Sequence, residues 1–413
     1  MAPGGAARVL IVRPDASRLG GIEAYFLKLL PHMRVACESL GIARRPQERG
    51  WRGRVRRLLA DYLRCYARLA DRDVALVHLN PSLEPRSFFR DAVFMLFARW
   101  RGKKTLVFFH GWDPGFERRL EQWGGRLFRL LYGAADAYVV LSPPFAAALR
   151  RWGVMQPIHT ERIVIEDHAI AAFDLERALQ GRRRAAPRTR LLFASRLLRS
   201  KGLMTAIGAL RILQRSNPHF ELVVAGEGEM AGEARELVRR LHVPNVVFVG
   251  QVSGEEKYEL FRSAHFFCFP TEHAEGFPNV IVEAMAFGLP IVTRPVGGIP
   301  AHCRHGVHGY LTQSTAPEAF AALILGLVAD PQRYRRMAQA AHREARSLFL
   351  ASDAARRMER IYASLGLLDA ESPANSPALI AASRGTGPSA SRMPRAAPSG
   401  RSAGRRSWAR SGR

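Results

Sequence analysis

Short apolar runs alternate along most of the chain with longer stretches of helical period. "RVLIVRP" (Arg8–Pro14), "DVALVHLN" (Asp73–Asn80), "KTLVFFHG" (Lys104–Gly111) and "AYVVLS" (Ala137–Ser142) have the length of strands. They are apolar at successive positions, which fits parallel strands buried on both faces. Between them apolar residues recur three and four apart, as at Tyr25, Phe26, Leu29 and Leu30, and predict helices. The pattern breaks at the charged stretch "LQGRRRAAPRTR" (Leu179–Arg190), which reads as a domain junction. It then restarts with "RLLFAS", "ELVVAG", "NVVFVG", "HFFCFP" and "PIVT" as strands, each but the last followed by a helical stretch. Such alternation predicts two Rossmann-like α/β domains facing each other across a crevice. The expected limits are 1–180 and 181–345, then terminal helices over 346–368 packing back towards the first domain, and a tail over 369–413.

Composition narrows this picture. The 413 residues suffice for two domains, and 47% hydrophobic with 24% charged residues is the balance of a globular protein. The four cysteines are isolated, so neither a zinc signature nor a disulfide framework is expected, and a reducing, cytoplasmic setting fits. The start "MAPGGAARVLIVRP" runs into a strand without a signal-peptide core, and no apolar run approaches the ~18–20 residues of a membrane span. The net charge is +26. From Glu371 to Arg413 there are eight Arg and one acidic residue amid Ser, Pro, Gly and Ala, a composition expected to be disordered.

The remaining charge is uneven. From Arg44 to Lys104 there are 16 Lys and Arg against 6 Asp and Glu, whereas from Arg190 to Leu365 there are 21 against 16. An anionic partner of the first half is implied. Zinc-finger, RNP and helix-turn-helix signatures are missing, so nucleic acid is not expected. The stretch "RGRVRRLLADYLRCYARLA" (Arg52–Ala70) sets Val55, Leu58, Leu59, Tyr62, Leu63, Tyr66 and Leu69 on one helical face. Arg52, Arg56, Arg57, Arg64 and Arg68 lie mostly off that face, and Phe88–Trp100 repeats the pattern before Arg101, Lys103 and Lys104. Such faces either pack on the sheet or meet an anionic membrane; both readings stand at this stage.

The chemistry concentrates in "EHAEGFPNVIVEAMAFGLPIVT" (Glu272–Thr293). Glu275 falls in the loop after a strand, Pro278 and Asn279 open a helix, and Glu283 lies about one turn into it. A helix N-terminus supplies N–H donors for phosphate, while carboxylates accept from hydroxyls, a pairing suited to a sugar nucleotide. A solvated loop carboxylate and a dipole-compensating one are the alternative. Arg196 and Lys201 flank the loop after "LLFAS", where two cations suit a pyrophosphate. Gly20 and Gly21 stand where a strand hands over to a helix, and His110 ends the strand "TLVFFH" before Gly111.

In this order and spacing the segments resemble a family. "EGFPNVIVEAM" is similar to the E-x7-E signature of the family 4 retaining glycosyltransferases, "SRLLRSKG" to their Arg-x4-Lys clamp, "GGIEAY" to their N-terminal Gly-Gly loop and "HGVHGYL" to their late glycine loop. The resemblance runs from about Arg8 to Leu365 and implies the two-domain GT-B fold. It implies that Glu275 holds donor-sugar hydroxyls beside the backbone of Phe277, Pro278 and Asn279, and that Glu283 accepts the ribose hydroxyls. Arg196 and Lys201 would neutralise the pyrophosphate, Gly20 and Gly21 would admit it to the first domain, and His110 would face the reacting sugar. The implied co-substrate is a nucleotide-diphosphate sugar, with no cofactor and no metal. The implied partner is a glycan or lipid-linked acceptor in surface-polysaccharide synthesis, and the basic charge of the first half adds an anionic membrane surface, at the inner face of the membrane. A nucleotide-sugar hydrolase or epimerase of the same fold is the alternative. Two features depart from or compete with the pattern: "VIEDHAI" (Val164–Ile170) stands where the family often has an Asn-Gly turn, and "DRD" (Asp71–Asp73) mimics a metal-binding Asp-x-Asp but precedes its strand.

Overall fold

A computed structural model describes residues 7–14, 20–42, 50–184, 188–273 and 277–367. The expected tail lies outside the described residues.

Fourteen strands are described: β1 (Arg8–Pro14), β2 (Cys37–Ile42), β3 (Val74–Leu79), β4 (Ser82–Leu83), β5 (Lys104–Phe109), β6 (Gly111–Trp112), β7 (Ala137–Val140), β8 (Ile158–Thr160), β9 (Thr189–Ala194), β10 (Phe220–Ala225), β11 (Val246–Gly250), β12 (Phe266–Phe269), β13 (Ile291–Thr293) and β14 (Gly309–Leu311). They form two six-stranded sheets, in the orders β2-β1-β3-β5-β7-β8 and β11-β10-β9-β12-β13-β14, plus the small pair β4-β6. Every pairing in both large sheets is parallel. In each sheet the chain starts at an inner strand, winds outward, and returns to the other side of that first strand. The direction therefore switches between β1 and β3, and again between β9 and β12. At such switch points the loops diverge and leave a crevice beyond the strands' C-terminal ends.

The period-two side-chain alternation of strands explains the layers. In β1 and β5, Val9, Ile11, Leu106 and Phe108 face a core shared with α1 (Gly21–Leu29), while Leu10, Val12, Val107 and Phe109 face a second core. That second core is closed by α2 (Gly50–Arg68) and α3 (Pro85–Trp100). β2, β8 and β14 were not legible as apolar runs. "CESLGI" and "IHT" carry polar residues because these strands stand at or next to the sheet edge, with partly exposed faces.

The stretch expected as a structure-poor junction is half helical. Leu175–Arg184 is a helix, and Arg182 donates to the carbonyls of Gly288 and Phe287, both at 2.8 Å. These bonds anchor it to the second domain. The chain crosses between domains around Ile165 and again around Leu350, and the two crossings pair. Ile165 N–H donates to Phe349 O at 2.8 Å, and Ala351 N–H donates to Ile165 O at 3.1 Å. The closing helix Ala351–Ser364 then packs on the first domain. Its Arg357 grips the buried Glu161 through two bonds of 2.6 and 2.8 Å, and Tyr362 Oη lies 2.7 Å from His78 Nδ1.

Candidate functional site

The second domain's switch point brings two loops together. Arg196 and Lys201 sit on the loop leaving β9, Arg196 exposed and Lys201 buried. Gly202, with φ +80°, ends that loop and opens the helix Leu203–Ser216. A Cβ on Gly202 would lie 2.2 Å from Pro270 O, so only glycine lets this loop press against the exit of β12. The two loops are also hydrogen-bonded: Glu272 N–H donates to Ser200 O at 2.7 Å. The "AGEGE" stretch (Ala225–Glu229) supports the β9 loop from behind. A Cβ on Gly226 would fall 1.9 Å from Ser195 O, and Leu197 N–H donates to Glu227 O at 2.8 Å. The sequence showed this glycine pair without its purpose, which is close backbone packing.

Glu275, with residues 274 and 276, lies outside the described residues. Beyond it, Phe277 is buried, its ring 5.0 Å from that of His302 and 6.0 Å from that of Phe349. This wedge fixes Pro278, which precedes the first turn of the helix Asn279–Ala286. Glu283 is buried on that helix and is not alone. Lys257 Nζ donates to Glu283 Oε1 at 2.7 Å, and Lys28 Nζ, from α1 of the first domain, lies 3.6 Å from the same oxygen. Lys28 also donates to Val164 O at 3.1 Å, on the interdomain link. Burial pushes the Lys28 ammonium below the usual lysine range, against the pull of Glu283. Both lysines were missed from sequence. Residues 28, 257 and 283 are neighbours only through the docking of two domains, and nothing in their local context marks them.

On the first domain, His110 follows β5 and is half-buried, stacked on Phe108 at 3.8 Å. Asn80, after β3, places its Nδ2 on Val12 O at 3.0 Å and His78 O at 3.2 Å. Its Oδ1 therefore faces His110 Nε2, 3.0 Å away. Nε2 must carry the proton in that pair, which leaves Nδ1 with the lone pair. Burial, with His78 as a lesser cause, holds the His110 pKa well below the usual imidazole range. The ring is a neutral acceptor, not a cation.

Gly20 and Gly21 lead into α1, and a Cβ on either would meet nothing within 4 Å among the described residues. No described neighbour demands glycine there. Glu23, one turn on, is fully buried and paired with Arg13; it too was missed.

The competing motifs are accounted for. Asp71 lies at the N-terminal edge of the first sheet, opposite the crevice, with Arg8 Nη2 2.6 Å from its Oδ2 and Asp73 N–H donating to its Oδ1 at 3.0 Å. "VIEDHAI" forms the interdomain link and enters the short helix Asp167–Ala171, whose Asp167 accepts from Ser352 N–H at 3.1 Å. Among the described residues, no group of three or more His, Cys, Asp or Glu is placed to hold a metal ion.

Two parallel doubly wound domains with paired crossings and a returning C-terminal helix define the GT-B architecture of glycosyltransferases. Each half matches a corresponding family: residues 15–161 match "Glycosyltransferase Family 4" and residues 178–344 match "Glycosyl transferases group 1". The chain is 34% identical over 144 residues to the amylovoran biosynthesis glycosyltransferase AmsK of Erwinia amylovora, covering 33% of this chain and 35% of that protein. The chain thus spans about a third of the length of the curated relatives it matches. Among solved structures it is similar to Anabaena HepE in complex with UDP-glucose, with a TM-score of 0.65 and 17% identity over 86% of this chain and 99% of that one. It is also similar to sucrose-phosphate synthase from Thermosynechococcus elongatus, with a TM-score of 0.68 and 20% identity over 87% and 99%. At these identities the structural likeness establishes the fold.

Proposed function

We propose that the protein is a retaining, metal-independent glycosyltransferase that moves a sugar from a nucleotide-diphosphate sugar to a glycan or lipid-linked glycan in cell-surface polysaccharide synthesis. The observation that carries this reading is the joined pair of loops at the β9/β12 switch point. It sets an exposed arginine and a buried lysine beside the segment that leads into the helix of Glu283. Arg196 and Lys201 take the donor pyrophosphate and stabilise the charge that grows on it as the glycosidic bond breaks. Glu283 accepts a ribose hydroxyl through its second oxygen, Oε1 being held by Lys257. Glu275 holds the donor sugar, and the neutral His110 accepts a hydrogen bond from it. The leaving diphosphate takes the acceptor's proton on the face it departs from, so the anomeric configuration is kept.

Two comparisons support the reading without extending to specificity: HepE is described in complex with UDP-glucose, and AmsK is named an amylovoran biosynthesis glycosyltransferase. The enzyme works at the cytoplasmic face of the membrane, where such donors and lipid-borne acceptors meet. Screening UDP-, GDP- and ADP-sugars for protection against thermal unfolding identifies the donor, because a ligand of the native state raises stability by mass action. Protection by none of them overturns the reading. Release of free sugar at the same rate with and without acceptor makes the protein a hydrolase.

A further inference from the structure

The outer surface of the first domain carries an apolar ridge that the described residues leave uncovered. Helix α2 spans Gly50–Arg68 and buries Asp61 and Cys65, with Leu69 just beyond it. The single apolar face expected from sequence is split by the fold. Leu58, Tyr62 and Tyr66 are partly buried towards the domain, while Val55, Leu59 and Leu63 point outward, Leu63 being 70% exposed. These three stand four residues apart, one above another along the helix. Helix α3 does the same with Phe89, Leu96 and Trp100, the last 76% exposed. The helices meet along a seam of rings, with Tyr62 5.0 Å from Phe94 and Tyr66 5.4 Å from Phe97 and 6.4 Å from Trp100. The two outward stripes border that seam and form one surface.

The charge around the ridge is predominantly positive. Residues 50–104 hold thirteen Lys and Arg against five Asp and Glu, and residues 50–60 hold no acid. Arg52 and Arg56 are exposed beside the Val55–Leu63 stripe. No described helix is long and apolar enough to cross a membrane. We propose that the α2–α3 ridge is the docking surface for an anionic lipid bilayer, with Val55, Leu59, Leu63, Phe89, Leu96 and Trp100 entering the headgroup boundary and Arg52 and Arg56 on the lipid phosphates. Apolar burial and basic attraction together are what reversible interfacial binding requires.

A second copy of the chain fits less well, because a twofold contact would press this cationic face against itself. The orientation also serves the crevice. In a parallel α/β layer the helices run opposite to the strands, so α2 and α3 begin at the crevice edge. A bilayer along the ridge therefore passes the mouth where an acceptor enters. This deepens the reading of a lipid-borne acceptor, but vesicle binding needs no donor and tests it separately.

The test is co-sedimentation of the full chain with phosphatidylcholine vesicles, with and without phosphatidylglycerol. Binding is expected only with the anionic lipid and falls as salt is raised. Leu59→Ser, Leu63→Ser and Trp100→Ser combined change only exposed positions, and circular dichroism checks that the fold is kept. They lower partitioning by roughly tenfold or more, and Arg52→Gln with Arg56→Gln does so by a comparable factor. Equal binding to neutral vesicles, or binding that survives both sets of substitutions, overturns the proposal. So does a dimer in sedimentation that the serine variant dissociates, which would assign the ridge to a second copy.

Discussion

Replacing Glu283 with glutamine tests the cluster that joins the two domains. The carboxylate and the Lys28 side chain are 3% and 7% exposed, with Lys257 at 2.7 Å on the same oxygen. Glutamine keeps the shape and one acceptor but removes the carboxylate paired with the Lys28 ammonium, leaving Glu166 as the lesser compensating charge. Breaking one partner of a buried pair costs about 3–5 kcal/mol, and the acceptor left for Lys257 places the expected loss near about 3 kcal/mol. Urea unfolding of the unliganded protein reads it. Lys28→Met should then rescue part of the loss, since it removes the stranded charge, giving a coupling of about 1–3 kcal/mol in a double-mutant cycle.

The pH dependence follows from the direction of the Lys28 shift. Its folded pKa is lowered, so the unfolded chain binds that proton more tightly. Stability therefore rises with pH between the lowered value and the ordinary lysine value of about 10.4. Without Glu283 the folded value drops further and the interval widens, so the variant's deficit shrinks as the solution is made alkaline. Affinity for free UDP or GDP should fall in Glu283→Gln, measured by titration calorimetry. A loss below about 1 kcal/mol with no rescue by Lys28→Met refutes the buried-pair argument. Unchanged nucleotide affinity refutes the ribose role.

Glu275→Gln should lower kcat by about a hundredfold with little change in donor affinity, and near-normal turnover would remove it from the reacting centre. Arg196→Ala and Lys201→Ala should each raise the donor KM strongly while excess EDTA leaves turnover intact; abolition by EDTA with rescue by manganese would assign the diphosphate to a metal. Because burial holds His110 neutral, the pH profile of kcat should show no break in the ordinary imidazole range that His110→Gln removes. Arg357→Met strands the buried Glu161 and should destabilise by about 3–5 kcal/mol, with hydrogen exchange rising first in Ala351–Ser364.

What the sequence shows and what it hides divide along one physical line. The doubly buried strands were legible because burial on both faces forces uninterrupted apolar runs such as "TLVFF" and "FFCF". The partly exposed strands β2, β8 and β14 were not, because their exposed faces tolerate Glu38, His159 and Tyr310. The loop motifs were legible for a related reason: a backbone that must turn sharply between strand and helix selects Gly and Pro locally, as at Gly202 and Pro278. Side chains that act through tertiary neighbours leave no such mark. Lys28 lies in the last turn of α1, where a lysine is equally well explained by the helix dipole, and only the docked second domain gives it Glu283. The same holds for the ridge. Helical period places Val55, Leu58, Leu59, Tyr62 and Leu63 together, but a period of 3.6 cannot say which part of a broad apolar arc the neighbouring helix will cover. Tyr62 and Tyr66 take the side facing α3, leaving Val55, Leu59 and Leu63 outside. An arc wider than its packing partner therefore presents a functional surface only once the fold has spent the rest of it.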